Sequence, residues 1–314
     1  MKAALIHSYG NPDVLEIQSE LPIPEPLEDE VLVRVQAAAV NPIDWKLRKG
    51  SLKLVSGFSF PKILGFDFAG IVAGIGNRIE HFRVGDQVFG MLQSLSQGSY
   101  AQFTVAKQNI LVNMPKNLSF EECAAIPLAG LTAFQGLSLG GITQEKKVLI
   151  LGASGGVGTL AIQIAKAYDC LVVATGGTQN QILMHKLGAD RTLDYTTQSL
   201  QELEGGFDII FDVSAKNTFS ECRNLLSKQG VYITSVPTFD NLMSFALSPF
   251  RAQKCRTFKT KASYRDLLIL KKMLENGSLK PVIDRVYPLD KIREAHRYSE
   301  TGHAQGKIVI SIPD

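Results

Sequence analysis

Apolar and polar residues alternate along the first third of the chain. Val31, Val33 and Val35 share one parity, whereas Arg34 and Gln36 take the other. Successive side chains of a strand point to opposite faces, so Glu30–Ala38 is expected to be a half-buried β-strand. Similar short runs occur at Met1–His7, Val14–Gln18, Ile71–Ile75 and Tyr100–Val105. Turn residues separate them: Pro22, Pro24 and Pro26 punctuate the link before Glu30, and Gly85-Asp86 leads into Val88-Phe89. Many short strands with such turns favour a compact all-β barrel or sandwich.

Near residue 120 the period changes. Lys147–Leu151 is a short apolar strand, and Val157, Leu160, Ala161, Ile164, Ala165 and Tyr168 then recur at helical spacing. Strand-like runs follow at Leu171–Thr175, Arg191–Asp194, Asp208–Asp212, Gly230–Val236 and Arg256–Lys259. Strands linked by crossover helices imply an α/β domain with a doubly wound parallel sheet. From about Ala262 the texture changes again: a helix at Tyr264–Glu275 stops at Asn276-Gly277, Pro281–Pro288 and Lys307–Ile312 read as strands, and Leu289–Glu300 reads as a helix. A late strand of this kind suggests that the tail rejoins the first domain. No internal repeat or low-complexity segment is evident.

The chain's 314 residues make two domains the default. Its net charge of +3 argues against nucleic acid and membrane surfaces as partners. No run approaches the roughly 18 apolar residues of a membrane span, and the N-terminus turns polar too early for a secretory leader. The four cysteines, Cys123, Cys170, Cys222 and Cys255, form no CxxC pair and read as reduced thiols of a cytoplasmic protein.

The chemistry centres on Gly152-Ala153-Ser154-Gly155-Gly156-Val157-Gly158, which follows one strand directly and opens a helix. Glycines there permit a tight turn and close backbone approach to a pyrophosphate, and the helix N-terminus adds free N–H donors. An NAD site usually has Asp or Glu at the end of the second strand, for the ribose 2′-hydroxyl. Here Leu171–Ala174 runs into Thr175-Gly176-Gly177-Thr178-Gln179-Asn180, with no carboxylate. The expectation is room for a 2′-phosphate and no negative charge to repel it. One charge-assisted hydrogen bond is worth about 1.5–3 kcal/mol, a roughly ten- to hundred-fold preference for NADPH. No Lys or Arg lies in this loop; Lys186 and Arg191 come later.

Seven segments in order carry a resemblance that spans essentially the whole chain: Ala38–Asp44 with Arg48-Lys49-Gly50, Leu64–Gly70, Phe82–Gly90, Pro127–Ala133, the glycine turn, Leu187–Asp190 with Asp194-Tyr195, and Gly306–Ile310. The sequence resembles the zinc-independent quinone oxidoreductase branch of the medium-chain dehydrogenase/reductase superfamily. That resemblance implies a GroES-like β-barrel catalytic domain of residues 1–121 and 261–314, with a Rossmann NADP-binding domain, residues 122–260, inserted between. It also implies a homodimer or tetramer paired through the nucleotide domain. It points to Tyr195, with Thr178 and Asn180, as neighbours of the 2′-phosphate, and to Thr132 near the nicotinamide. One departure is His303, where many relatives carry Arg or Lys.

Zinc alcohol dehydrogenases of the superfamily use Cys near position 41 and Gly-His-Glu where this chain has Gly65-Phe66-Asp67. The short stretch 90–98 contains no Cys in place of a structural-zinc lobe. His7, His81, His185, His296 and His303 have no ligand-like spacing and read as surface or core residues. Without a metal to polarise a carbonyl, acceptors already activated by conjugation are favoured; they need placement against the nicotinamide and a donor to the developing oxyanion.

The candidate catalytic residues are Asn41, Asp44, Asp67 and Thr132. Asn41 is either a donor to a substrate oxygen or a turn residue before Pro42; Asp44 either orients a partner or caps the helix that begins at Trp45. Asp67 either organises the pocket or satisfies backbone donors. Trp45 and Phe66 are candidate pocket walls, with core packing the alternative for Trp45. Phe239, Phe245 and Phe250 either cap a flat substrate or pack at a subunit interface. Three functions suit the pattern: an NADPH-dependent quinone reductase, an enone, alkenal or enoyl-thioester reductase, and a nucleotide-binding scaffold with little turnover. Exhaustive chelation should leave NADPH-dependent activity unchanged; stoichiometric zinc in metal analysis of the purified protein would defeat that expectation.

Overall fold

The computed structural model describes residues 1–93 and 97–312, apart from the side chain of residue 55. Positions 94–96 of the stretch read against a zinc lobe lie outside the described residues. The chain divides into two compact units, Met1–Leu128 with Lys261–Glu275 and Pro281–Asp314, and Ala129–Thr260 with Asn276–Lys280.

The first unit opens with β1 (Ala3–Ile6), β2 (Leu15–Gln18) and β3 (Glu30–Val40), then α1 (Pro42–Arg48) and α2 (Lys53–Ser56). It continues through β4 (Lys62–Ile63), β5 (Asp67–Ile75), β6 (Gln87–Met91), β7 (Phe103–Lys107), β8 (Leu111–Asn113) and α3 (Phe120–Ala124). In β3, Val31, Val33 and Val35 are buried while Leu32, Arg34 and Gln36 are half-buried, the expected alternation. Beyond Gln36 every residue of β3 is buried. Small Ala37, Ala38 and Ala39 allow close packing there, where β3 is flanked by β5 and by a strand from the tail. A three-stranded sheet, β2-β1-β4, lies in the same unit.

The second unit comprises α4 (Pro127–Leu139), β9 (Lys147–Leu151), α5 (Gly156–Ala167), β10 (Leu171–Gly176), α6 (Gln181–Lys186) and β11 (Arg191–Asp194). Then come β12 (Phe207–Asp212), α7 (Phe219–Cys222), β13 (Leu226–Thr234), α8 (Phe239–Leu247) and β14 (Lys254–Thr257). Among the described residues its sheet has six parallel strands in the order β11-β10-β9-β12-β13-β14. This is the doubly wound arrangement, with the order reversing at β9. Val148–Leu151 are buried throughout, as a strand covered on both faces must be.

The tail supplies α9 (Tyr264–Glu275), β15 (Ile283–Pro288), α10 (Ile292–Glu300) and β16 (Lys307–Ser311). β16 pairs antiparallel with β3, Ile308 opposite Val40 and Ile310 opposite Ala38, so the tail does complete the first sheet. That sheet runs β15-β16-β3-β5-β6-β8, with β7 pairing to β3.

Two details of the expected division differ. The first boundary falls at 128/129 rather than 121/122, because α3 packs on β3 and β5 and the Leu128 N–H donates to Asp67. Residues Asn276–Lys280 cluster with the second unit rather than the first. Gln163 of α5 explains this: its amide donates to the Lys280 carbonyl at 2.9 Å and accepts the Lys280 N–H at 2.8 Å. The same contact gives α5 a buried polar side chain outside its predicted apolar stripe.

Phe211 of β12 is fully buried against Phe258, with its ring over Gly136. Phe211→Ala should cost about 3–5 kcal/mol through lost contacts and a residual cavity. Urea unfolding measures this; a loss below about 1 kcal/mol would show that the site collapses around the smaller side chain.

Candidate active site

β9 delivers the chain into the glycine turn at the reversal point of the parallel sheet. Gly152 has φ +78°, and a Cβ there would lie 2.9 Å from the Ser214 Cβ. At Gly158 a Cβ would come within 2.5 Å of the Gly152 oxygen and the Ala153 Cα, so α5 approaches the strand end as closely as it does only with glycine there. Gly155 caps α5 on extended backbone, and its carbonyl accepts the Thr159 N–H at 2.9 Å. The N–H groups of Gly156 and Val157 therefore open the helix without carbonyl partners in the preceding turn, and no acidic residue sits in that first turn. Such an arrangement fits a pyrophosphate.

Thr175, expected at the cofactor, is buried and turned inward. Its hydroxyl accepts the Gly152 N–H at 3.3 Å and its carbonyl accepts the Ala153 N–H at 2.9 Å. It holds the turn in shape. Thr132 is also buried, with its hydroxyl 2.7 Å from that of Thr260.

The end of β10 differs from expectation in one respect. The parallel register sets Asp194 beside Gly176. Its carboxylate accepts the Thr178 hydroxyl at 2.5 Å, the Thr196 hydroxyl at 2.6 Å and the Thr196 N–H at 2.9 Å. The Thr178 and Thr196 hydrogen bonds hold it below the usual carboxylate range. The surroundings of Thr178 thus contain a negative charge, which arrives from the third strand and not the second. Tyr195 is half-exposed, and its hydroxyl lies 3.4 Å from where a Gly177 Cβ would be. Asn180 carries a buried Oδ1 with no hydrogen-bond partner among the described residues.

In the first unit, Asn41, Asp44 and Asp67 come together around a residue that sequence reasoning missed. Asp67 is fully buried; its Oδ1 accepts the Leu128 N–H at 2.7 Å, and its Oδ2 accepts from Asn41 Nδ2 at 2.8 Å and Lys307 Nζ at 3.2 Å. Lys307 also donates to Asn41 Oδ1. With its carbonyl on Lys307 and its amide on Asp67, Asn41 is a buried spacer and helix N-cap rather than a donor to substrate. Asp44 is not the cap but the third residue of α1. Its Oδ2 accepts the Asn41 N–H at 2.7 Å and the Tyr100 hydroxyl at 3.0 Å, while its Oδ1 is buried without a partner. Burial pushes this carboxyl up to about 7, against the pull of Asn41 and Tyr100. The one available signal for Lys307 was a lone cation opening the apolar run Ile308-Val309-Ile310.

Arg48 is buried one turn along α1, paired with Glu300. Nearby His296 is pushed down to about 3 by burial and by the Arg48 charge. Trp45 is half-buried, with the Lys49 ammonium 5.0 Å from its ring centre. Phe66 packs against the first unit's core. Phe239 and Phe245 stand on the exposed side of α8, and Phe250 just beyond is 88% exposed.

The residues here do not fit zinc. Lys307 already presents its ammonium to both Asn41 Oδ1 and Asp67 Oδ2, and among the described residues no group of three His, Cys, Asp or Glu side chains is arranged to hold a metal.

Comparison with known proteins bears on both units. Residues 27–116 match the alcohol dehydrogenase GroES-like domain family, and residues 187–310 match the zinc-binding dehydrogenase family. The chain is 36% identical to the 2-methylene-furan-3-one reductase of Solanum lycopersicum, over 99% of this chain and 79% of that protein. It is 34% identical to the NADPH-dependent alkenal/one oxidoreductase, chloroplastic, of Arabidopsis thaliana, with the same coverage. It is 36% identical to the quinone-oxidoreductase homolog, chloroplastic, of Spinacia oleracea, over 99% of both chains. Among solved structures, the quinone oxidoreductase from Coxiella burnetii superposes with a TM-score of 0.92 at 30% identity, covering 100% of this chain and 99% of that one. The Escherichia coli quinone oxidoreductase complexed with NADPH superposes with a TM-score of 0.86 at 25% identity, covering 99% of this chain and 100% of that one.

Asp44 also makes the fold sensitive to pH. A carboxyl raised from 3.8 to about 7 binds a proton on folding. Its stabilising contribution is complete below the unfolded value and is lost as pH rises through the folded one. Asp44→Asn should abolish this slope, so the variant should gain on the parent between pH values of about 4 and 8 by up to a few kcal/mol. Chemical denaturation at several pH values tests it; a pH-independent offset would overturn the assignment.

Proposed function

The chain belongs to the zinc-independent quinone oxidoreductase branch of the medium-chain dehydrogenase/reductase superfamily, and on that premise we propose that it reduces quinones and related conjugated carbonyl compounds with NADPH. The observation that carries this reading is the glycine turn at the reversal point of the parallel sheet, where only glycine fits at positions 152 and 158. The names of its relatives, an alkenal/one oxidoreductase, a furanone reductase and quinone oxidoreductases, share an acceptor in which a carbonyl is conjugated to a double bond.

When bound, NADPH supplies a hydride to such an acceptor. The backbone of Gly152, Ala153, Ser154, Gly155, Gly156 and Val157 holds the pyrophosphate, and Thr175 keeps that turn in register. Thr178, Asn180 and Tyr195 border the ribose 2′ position, and Thr132 is assigned to the nicotinamide end. Asn41, Asp44 and Asp67 act as positioning residues, since hydrogen bonds and burial commit their side chains to one another, to Tyr100 and to Lys307. Trp45, Phe66, Phe239 and Phe245 are the apolar side chains assigned to a flat acceptor. Conjugation already makes the acceptor electrophilic, so positioning does the work that a Lewis acid does elsewhere.

The same reading includes a homo-oligomer, dimer or tetramer, and a cytoplasmic location. The exposed apolar residues of α8 support the first, and the buried free thiols of Cys123, Cys170, Cys222 and Cys255 support a reducing compartment. Among the described residues no helix is long and apolar enough to cross a membrane.

A panel of quinones, enones and alkenals tests the activity by loss of NADPH absorbance. Turnover with a conjugated acceptor, and none with its saturated ketone analogue, is expected. Tight NADPH binding with no acceptor reduced would instead favour a nucleotide-binding scaffold.

A further inference from the structure

Within the first unit α1 packs against α10, and each helix offers a pair of polar side chains one turn apart. On α1 these are Asp44 and Arg48; on α10 they are His296 and Glu300. Residues four apart share one face of a helix. Arg48 meets Glu300, and Tyr100 touches the other two. Its hydroxyl donates to Asp44 Oδ2 at 3.0 Å, and its ring stands edge-on to His296 with 5.6 Å between centroids. Asp44, Arg48, Tyr100 and His296 are all wholly buried.

The hydrogen bonds described use only part of this set. Arg48 Nε and Nη1, both ring nitrogens of His296 and Asp44 Oδ1 have no partner among the described residues. Unmatched polar atoms in a protein interior are costly, and so many in one neighbourhood call for a shared partner. Their chemistry selects it. Arg48 can only donate. Burial and the Arg48 charge push His296 down to about 3, so its ring is neutral, with one nitrogen that donates and one that accepts. Asp44 Oδ1 accepts, or donates when the carboxyl carries its proton. The partner must therefore both donate and accept. An anion would meet the carboxyl groups of Asp44 and Glu300, and a cation would meet Arg48. Water is neutral and does both, and a buried water typically makes about three hydrogen bonds.

We propose that the first unit encloses an internal water site beside the Tyr100 ring, held by Arg48, His296 and Asp44. The water accepts an N–H of Arg48 and donates to the bare nitrogen of His296 and to Asp44 Oδ1. It joins α1, which begins at the Asn41 cap, to α10, which leads to Lys307 at the start of β16. The two helices flanking the Asn41–Lys307 contact are thereby tied at a second point.

A direct bond from Arg48 to His296, reached by a small rotation of either side chain, is the competing account. A high-resolution crystal structure of the whole protein separates the two. Density for a water at about 2.7–3.2 Å from Arg48 Nε or Nη1 and from a His296 nitrogen is expected. A direct Arg48–His296 bond, or side chains closed together with no water between them, would overturn the proposal. In solution the Arg48 Nε–H should show a magnetisation-transfer peak to long-lived water, and His296→Phe, which keeps the ring shape but removes the acceptor, should abolish it. No such peak in the parent protein, or one of unchanged intensity in His296→Phe, would defeat the assignment. Should that variant fail to fold, the crystal structure and the parent spectrum decide the matter by themselves.

Discussion

An ionised carboxylate cannot be buried without donors, and Asp67 is fully buried. Its donors come from three distant parts of the chain: Asn41 at the start of α1, the Leu128 N–H at the end of the first segment, and Lys307 at the start of β16. None of these is near Asp67 in sequence, so the carboxylate is satisfied only when β16 has returned to β3 and the segment ending at Leu128 has been laid against the sheet. The first unit is organised around that requirement. Lys307 needs the cluster equally, since the residue is 4% exposed and its ammonium rests on Asp67 and Asn41.

The same cluster explains why the first unit presents no metal centre at these positions. A site made of Asn41, Asp67 and an ammonium already has its cation, fixed by covalent attachment to β16. Under the proposed function, rigid placement takes the part that polarisation by a metal plays elsewhere, for acceptors that conjugation has already activated. Asp44 sits at the edge of this network with one oxygen unpartnered, beside Tyr100 and one helical turn from Arg48. Burial, more than any neighbouring charge, is what raises its affinity for a proton.

In the second unit the governing constraint is steric. α5 can start where it does because positions 152 and 158 carry no side chain, and Thr175 braces the turn from the neighbouring strand. The phosphate site proposed for this turn would be built almost wholly from backbone. At the ends of β10 and β11, Thr178 and Asp194 are joined by a hydrogen bond.

Local patterns decided much of this protein. The alternation in β3, the buried run Val148–Leu151, the helical stripe from Leu160 to Ala165 and the stop at Asn276-Gly277 are short-range properties, and each is visible in a window of a few residues. The glycine turn was equally legible, because its chemistry lies in its own backbone and its neighbours in sequence. Tertiary structure alone decided which side chains meet. Sequence leaves Asn41 as either a donor to substrate or a turn residue before Pro42, and Lys307 and Asp67 claim its amide group from positions far along the chain. The loop after β10 was read as free of negative charge, yet parallel pairing with β11 brings Asp194 to it. Hydrogen bonds and charges act over a few ångströms of space whatever the separation in sequence, so the composition of a buried polar cluster is settled by strand register and chain return, which no single window contains.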